Sequence, residues 1–277
     1  MADIKMLKEK ATQLRKDIVT MICKSKSGHP GGSLSAADIV STLYFNEMNV
    51  DPKNPKMEDR DRFVLSKGHA APLLYAVLAE KGYFDKELLG TLRKFGSPLQ
   101  GHPDMKKLPG IDISTGSLGQ GLSVANGMAL SAKLDNKSYR TYVLLGDGEV
   151  QEGQVWEAAM TSAHYKLDNV CAFLDSNNLQ IDGNVDKVMG VEPLDEKWKA
   201  FGWNVIVIDG HNYQEILEAL EAAKAHKGQP TMVIAKTTKG KGVSFMENVC
   251  GFHGVAPTPE ETERALEELK HVECCNN

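Results

Sequence analysis

Five short runs of apolar and β-branched residues recur along this chain, at 62–65, 141–145, 169–174, 204–208 and 232–235. Between them, apolar positions fall at helical spacing over 70–80, 118–134, 154–165 and 213–225. The stretches VLLGDG, VIVIDG and MVIAK are almost continuously apolar up to their polar ends. Strands buried on both faces, under two layers of helices, have this pattern. The β-α-β-α rhythm predicts an α/β fold, a doubly wound, mostly parallel sheet with helices on both faces. In such sheets ligands bind beyond the carboxyl ends of the strands.

The first third reads differently. A helix is expected over 4–26, followed by SKSGHPGGSLS, where Ser33 or Ser35 would cap a second helix running to about Phe45. VDPKNPKMEDRDR is a polar loop punctuated by proline. With no repeat and no low-complexity linker, 1–277 reads as a single domain, and 1–60 as its wrap-around helical extension.

Two of the strand ends carry chemistry. One apolar run enters Gly146-Asp147-Gly148, and the next, about thirty residues on, ends in Asp175-Ser176-Asn177-Asn178. The glycines would allow unusual φ values and close approach of a ligand to the backbone. An aspartate there would repel a phosphate directly but can hold a cation that bridges to it. Magnesium, small and oxygen-seeking, suits Asp147, the amide oxygen of Asn177 and the carbonyl of Leu179. Taken alone, Gly-Asp-Gly is also an ordinary turn. Four histidines, His29, His69, His102 and His253, each stand next to a glycine. Imidazole exchanges protons near neutral pH, so together they point to a cluster around a reacting carbonyl.

Composition narrows the class. A formal net charge of -5 argues against nucleic acid as a partner. No apolar run approaches the roughly 20 residues of a membrane span, and the charged N-terminus lacks the apolar stretch of a signal peptide. The expectation is a cytoplasmic protein. Its cysteines, Cys23, Cys171, Cys250, Cys274 and Cys275, contain no C-x-x-C pair and read as reduced thiols.

The ordered motifs SGHPGGSLS, SKGHAAPLLYA, GHPD, TGSLGQGL, LGDGEVQEGQVWEA, DSNNLQIDG and AKTTKGKG, with a later FHG, resemble those of transketolases over nearly the whole chain. The resemblance implies a thiamine-diphosphate-binding fold of the diphosphate-binding type, with thiamine diphosphate and Mg2+ as cofactors. It implies that His29, His69, His102 and His253 line the active-site channel, with His69 and His253 also touching the cofactor. Gly116, Ser117 and Leu118 match the stretch on the aminopyrimidine side, and Gly148 matches a diphosphate contact. Lys239 matches a lysine near the cofactor, although TTKGKG also reads as a solvated basic turn. Glu152 and Glu157 match a carboxylate network between paired active sites, although acidic residues also suit a helix N-terminus. His164, His211, His226 and His271 match no motif and read as structural.

The same resemblance leaves something missing. In transketolases the glutamate that activates the cofactor lies in a second, pyrimidine-binding domain, as do most groups that hold the sugar phosphate. Here only PTPEETERALEELKHVECCNN, a short charged helix, follows the FHG region. The expectation is the N-terminal subunit of a split transketolase, acting on sugar phosphates in a heterotetramer with a C-terminal, pyrimidine-binding subunit. That partner would cover an apolar surface around Leu118, Val124 and Trp156. A different ketose or sulfosugar substrate, a related ketol synthase and a non-catalytic magnesium-diphosphate module remain open alternatives.

Overall fold

The computed structural model describes the backbone of residues 2–275 and the side chains of residues 2–270. The readings of Cys274 and Cys275 as reduced thiols and of His271 as structural lie outside the described side chains. Five strands, β1 (Arg62–Leu65), β2 (Thr141–Gly146), β3 (Val170–Ser176), β6 (Asn204–Asp209) and β7 (Thr231–Lys236), form one sheet in the order β1-β2-β3-β7-β6. Every pairing in it is parallel. A two-stranded antiparallel hairpin, β4 (Leu179–Gln180) with β5 (Gly183–Asn184), follows β3.

Alternation along the strands divides the core in two. Phe63, Leu65, Tyr142, Leu144, Phe173 and Val233 face one helix layer. This layer contains α1 (Ile4–Ser25), α2 (Pro30–Ser35), α3 (Ala37–Thr42), α4 (Ala71–Lys81) and α9 (Tyr213–Ala225). Val64, Val143, Leu145, Ala172, Leu174 and Ile234 face the other, built from α5 (Gly121–Leu134), α6 (Gly153–His164), α7 (Val185–Met189) and α8 (Leu194–Ala200). The two-residue period of a strand sends successive side chains to opposite faces, so both faces need cover. The terminal helix α10 (Pro259–Cys275) lies against α1 and buries Ala265 and Leu269.

Several expectations need correction. Neither Ser33 nor Ser35 caps a helix. α2 begins at Pro30, with His29 in the cap position, because proline suits the first helical turn. Ser33 instead back-bonds to the His29 carbonyl (2.7 Å), and Ser35 donates to Asp175 Oδ2 (2.6 Å). The helix expected up to Phe45 is broken into α2, α3 and a π turn at Leu43–Glu47. α5 starts at Gly121 rather than Leu118, because 117–120 form a turn whose Gly119 N–H is held by Glu149 Oε1 (3.0 Å). VIVIDG is not buried on both faces: as β6 it is an edge strand, and Val207 is exposed. The hairpin, α7 and α8 were not anticipated, although Leu194 and Trp198, four apart and both buried, carry a helical signal for α8.

Candidate functional site at the carboxyl edge of the sheet

Four neighbouring parallel strands end at one edge, and the residue after each end matters. β1 leads to Ser66, Lys67 and His69, β2 to Asp147, β3 to Asn177, and β7 to Thr237 and Lys239. These segments, with His29 at the cap of α2, the loop carrying His102 and the 3-10 turn Cys250–His253, surround a cavity of about 370 Å³. Asp147, Gly148, Asn177, Leu179, Gly116, Leu118, Glu152 and Lys239 line it, as do all four histidines. Ser117 and Glu157 do not. Ser117 is exposed on the turn before α5, and Glu157 is exposed on α6 beyond the rim.

Asp147 is only 4% exposed. One carboxylate oxygen accepts from the Gly148 N–H (2.8 Å) and the other from the Asn178 N–H. Asn178 reaches it from a left-handed conformation, φ 60°, which asparagine tolerates. Among the described residues no cation forms an ion pair with Asp147. Burial, with repulsion from Asp175, pushes its carboxyl up to about 6, while the two backbone N–H bonds and the charge of Lys239 pull partly back. The glycines beside it do not adopt the left-handed φ expected of them: Gly148 is an ordinary helical residue at φ -66°. What matters at Gly148 is space, since a Cβ there would lie 3.3 Å from the Gln180 side chain.

Asp175 is fully buried one strand away and is saturated with donors. Lys67 Nζ (2.5 Å), Ser35 Oγ (2.6 Å) and Asn177 Nδ2 (3.0 Å) reach Oδ2, and Thr237 Oγ1 donates to Oδ1. Burial alone would raise this carboxyl, but Lys67, Ser35 and Thr237 more than offset it and hold it below the ordinary carboxylate value. Asp175 is therefore engaged as an anchor, although its position in DSNN marked it as a source of ligand oxygens. The anchor fixes the Asn177 amide: its nitrogen faces Asp175, and its oxygen accepts from the Leu179 N–H (3.1 Å). Glu149, also buried, accepts from Ser66, Gly119 and Gly146, and so ties β1 and β2 to the turn before α5.

The histidines form a compact group. Ring centroids of His29 and His69 are 5.2 Å apart, of His69 and His253 5.1 Å, and of His29 and His253 5.6 Å. Burial, reinforced by nearby positive groups, lowers His29 to about 4 and His253 to about 3, and lowers His69 well below the ordinary value. All three are neutral at pH 7. His29 Nδ1 is buried and has no hydrogen-bond partner among the described residues. His102 lies beside Gly116, whose φ of 143° favours glycine and whose Cβ would stand 2.9 Å from the imidazole. Lys239 is no solvated turn residue: it is 2% exposed and donates to the Leu179 carbonyl (2.8 Å) and His253 Nδ1 (2.7 Å). Burial lowers its ammonium to about 8. The bond to Nδ1 puts the His253 ring hydrogen on Nε2.

The donor set can be tested against a cation. Among the described residues no group of three or more His, Cys, Asp or Glu is placed to hold a metal. One carboxylate, one amide oxygen and one backbone carbonyl are available instead, all hard oxygens of the kind magnesium takes alongside phosphate oxygens. Asn177 Oδ1 and the Leu179 carbonyl each already accept one hydrogen bond, which leaves each a second lone pair. A buried carboxylate without a counter-charge is the group a cation would neutralise. The residues fit.

Sequence reasoning missed Lys67 and Glu149, though both sit inside the motifs SKGHA and GDGEV at strand ends. The strand-end rule that singled out Asp147 applies to Lys67 equally. Trp156 does not form the open apolar surface expected. It is half-buried against Trp198 and Phe201, with centroids 5.0 and 5.1 Å away, whereas Leu118 is exposed.

The arrangement agrees with comparisons to known proteins. Residues 7–271 match the family described as transketolase, thiamine diphosphate binding domain. The chain is 48% identical to a 6-deoxy-6-sulfo-D-fructose transketolase chain of Clostridium sp. (strain MSTE9), named as one subunit of that enzyme, covering 95% of this chain and 96% of that one. It is 44% identical to one of the subunits named for the apulose-4-phosphate transketolase of Phocaeicola vulgatus, over 96% and 94% of the two chains. A crystal structure of transketolase from Campylobacter jejuni superposes with a TM-score of 0.91 at 36% identity, over 100% of this chain and 46% of that chain. The chain thus spans nearly all of proteins named as transketolase subunits and about half of the solved transketolase. With this fold and this strand-edge site, the chain belongs to the transketolase family of transferases and corresponds to its thiamine diphosphate binding domain.

Proposed function

We propose that this chain is the N-terminal subunit of a split transketolase, working in the cytoplasm as a heterotetramer with a C-terminal, pyrimidine-binding subunit. Together the subunits would move a two-carbon ketol unit from a ketose phosphate, or a sulfonated ketose, to an aldose phosphate. The observation that carries this reading is the single cavity that unites Asp147, Asn177 and three neutral histidines at the carboxyl ends of adjacent strands. The partner is supported by end-to-end similarity to proteins named as subunits. The anionic terminus of the donor is supported by the same names, one a sulfosugar and one a sugar phosphate.

Asp147, Asn177 and the Leu179 carbonyl are proposed to hold Mg2+, and Gly148 to admit the diphosphate close to the backbone. Gly116 and Leu118 would face the aminopyrimidine, with Ser117 between them on the exposed side of the turn. When bound, thiamine diphosphate supplies the carbanion chemistry of ketol transfer. The chain supplies orientation and proton handling. His253, fixed with its hydrogen on Nε2, presents a donor, while the unpartnered Nδ1 of His29 accepts or donates according to tautomer. His69 and His102 complete the wall, and Lys239 brings positive charge beside the diphosphate. Glu152 and Glu157 would meet their counterparts only across the assembled subunits.

Reconstitution tests the reading. The purified chain, with magnesium, thiamine diphosphate and a companion pyrimidine-domain chain, should transfer ketol units from a phosphorylated or sulfonated ketose. The chain alone should not. Full activity without a companion, or none with one, would overturn the proposal.

A further inference from the structure

His211, which matches no motif, has a partner on each ring nitrogen. Nδ1 lies 2.8 Å from Asp38 Oδ2, and Nε2 lies 2.9 Å from the backbone nitrogen of Thr238. A backbone N–H can only donate, so Nε2 carries the lone pair and Nδ1 carries the hydrogen given to Asp38. Asp38 is itself fully engaged. Arg15 binds it with both terminal nitrogens (2.9 and 2.7 Å), and Tyr213 donates its hydroxyl at 2.6 Å. This cluster lies outside the catalytic cavity, on the wall of a separate one of about 490 Å³.

The cluster reaches the proposed site through the loop after β7. His211 holds the Thr238 N–H, and Arg15 Nε holds the Lys241 carbonyl (3.0 Å). These contacts lie on either side of Lys239, whose ammonium reaches the Leu179 carbonyl and His253 Nδ1. The loop is also tied at Thr237, to Ser176 and Asp175, at Gly240, to Gly31, within itself by the Lys241 N–H to the Thr238 carbonyl (3.2 Å), and at the Lys239 carbonyl, which accepts from the Asn248 N–H (2.9 Å). A long lysine side chain keeps its aim only when its backbone is fixed, and the hold next to it comes from a ring that the Arg15–Asp38 pair cannot let rotate.

We propose that His211 is a positioning residue for ketol transfer, locked by Arg15, Asp38 and Tyr213 so that the 238–241 loop points Lys239 at Leu179 and His253. The inference rests on the function proposed above, and its test separates the two. His211→Asn keeps a donor where Nδ1 stands and removes the acceptor for Thr238. In the full chain, amide exchange over 238–241 should accelerate about tenfold or more while the thermal midpoint stays near wild type. With the companion chain, the Kd for magnesium thiamine diphosphate should rise about fivefold or more, and His211→Gln, which returns an amide oxygen, should recover part of it. Nitrogen NMR of the unmodified chain gives an independent reading, with His211 as the Nδ1–H tautomer. An Nε2–H tautomer, or unchanged exchange over 238–241 in His211→Asn, would overturn the inference. Accelerated exchange in a protein that never binds the cofactor would leave the lock standing and overturn the function.

Discussion

Asp175 on β3 pairs in register with Gly146 on β2, the residue before Asp147, so two buried aspartates stand side by side at one sheet edge. Asp175 has a lysine, two hydroxyls and an amide, and its carboxyl is held below the ordinary value. Asp147 has two backbone N–H groups and, among the described residues, no paired cation, and its carboxyl rises to about 6. Burial is common to both, so burial does not distinguish a structural carboxylate from a functional one. What differs is the counter-charge. Asp175 carries its own within the fold, whereas Asp147 has none among the described residues, which is what the proposed magnesium site calls for. Charges taken out of water need a partner, and where the protein provides none a ligand is the natural one.

The largest effect should come from breaking the satisfied side. Lys67→Met leaves Asp175 buried and uncompensated, which typically costs about 3–5 kcal/mol. Urea unfolding should show that loss, and adding Asp175→Leu should recover much of it. If Lys67→Met unfolds like wild type, Asp175 does not depend on its lysine and the contrast with Asp147 fails.

Next in size is the histidine that shares Lys239 with the unsatisfied side. His253→Ala should lower kcat of the assembled enzyme by roughly a thousandfold, within the 10²–10⁴ range of general acid-base groups. Its melting temperature should change little, because His253 ends the short 3-10 turn Cys250–His253 and is not among the buried side chains of the two main cores. A variant with normal turnover and a lower melting temperature would make His253 structural.

Asp147→Asn sharpens the comparison directly. It keeps the shape and one acceptor but cannot counter a cation with charge. Affinity for magnesium thiamine diphosphate should fall at least about a hundredfold, close to 2.8 kcal/mol at 1.4 kcal/mol per tenfold. The ligand-free variant no longer buries an unpaired charge, but its amide nitrogen faces one of the two backbone N–H groups at a cost of about 1–3 kcal/mol, so the two changes oppose and the melting temperature should move little. Calorimetric titration and a thermal melt check both halves. Unchanged affinity would remove Asp147 from the metal site.

Much of this was legible in the sequence, for a physical reason. Parallel strands need apolar residues on both faces, so 141–145 and 232–235 stand out, and the polar residues that end such runs, Asp147 and Asn177, necessarily fall at the ligand edge. Distances across the chain were not legible. Lys67 precedes Asp175 by more than a hundred residues, and Arg15 lies still farther from the Lys241 carbonyl it holds. No periodicity relates such partners. Conformation within turns was equally hidden: Gly148 needed room, not a rare φ, and Asn178 took the left-handed position instead. VIVIDG shows the limit of the apolar signal, since an edge strand and a central strand can share one composition.

The smallest effect concerns acid. His29 is lowered from 6.5 to about 4 by burial and by the charges of Arg93 and its neighbours. Between those values the unfolded chain binds a proton that the folded chain refuses, so stability falls as pH drops from about 6.5 to about 4 and is fully present above that window. His69 and His253, also lowered, act in the same direction. Asp147 acts oppositely: its raised carboxyl accepts a proton before the unfolded chain does, so protonation below about 6 relieves the ligand-free fold. His29→Gln should therefore flatten the loss of stability between pH 6.5 and 4 by about 1 kcal/mol, the shift being discounted because the ring is partly exposed. Asp147→Asn should steepen the same loss by removing the opposing group. Urea midpoints at half-unit pH steps on the ligand-free chain would resolve both. Equal slopes in all three proteins would mean that neither the histidine cluster nor the unpaired aspartate stores the electrostatic cost assigned to this edge.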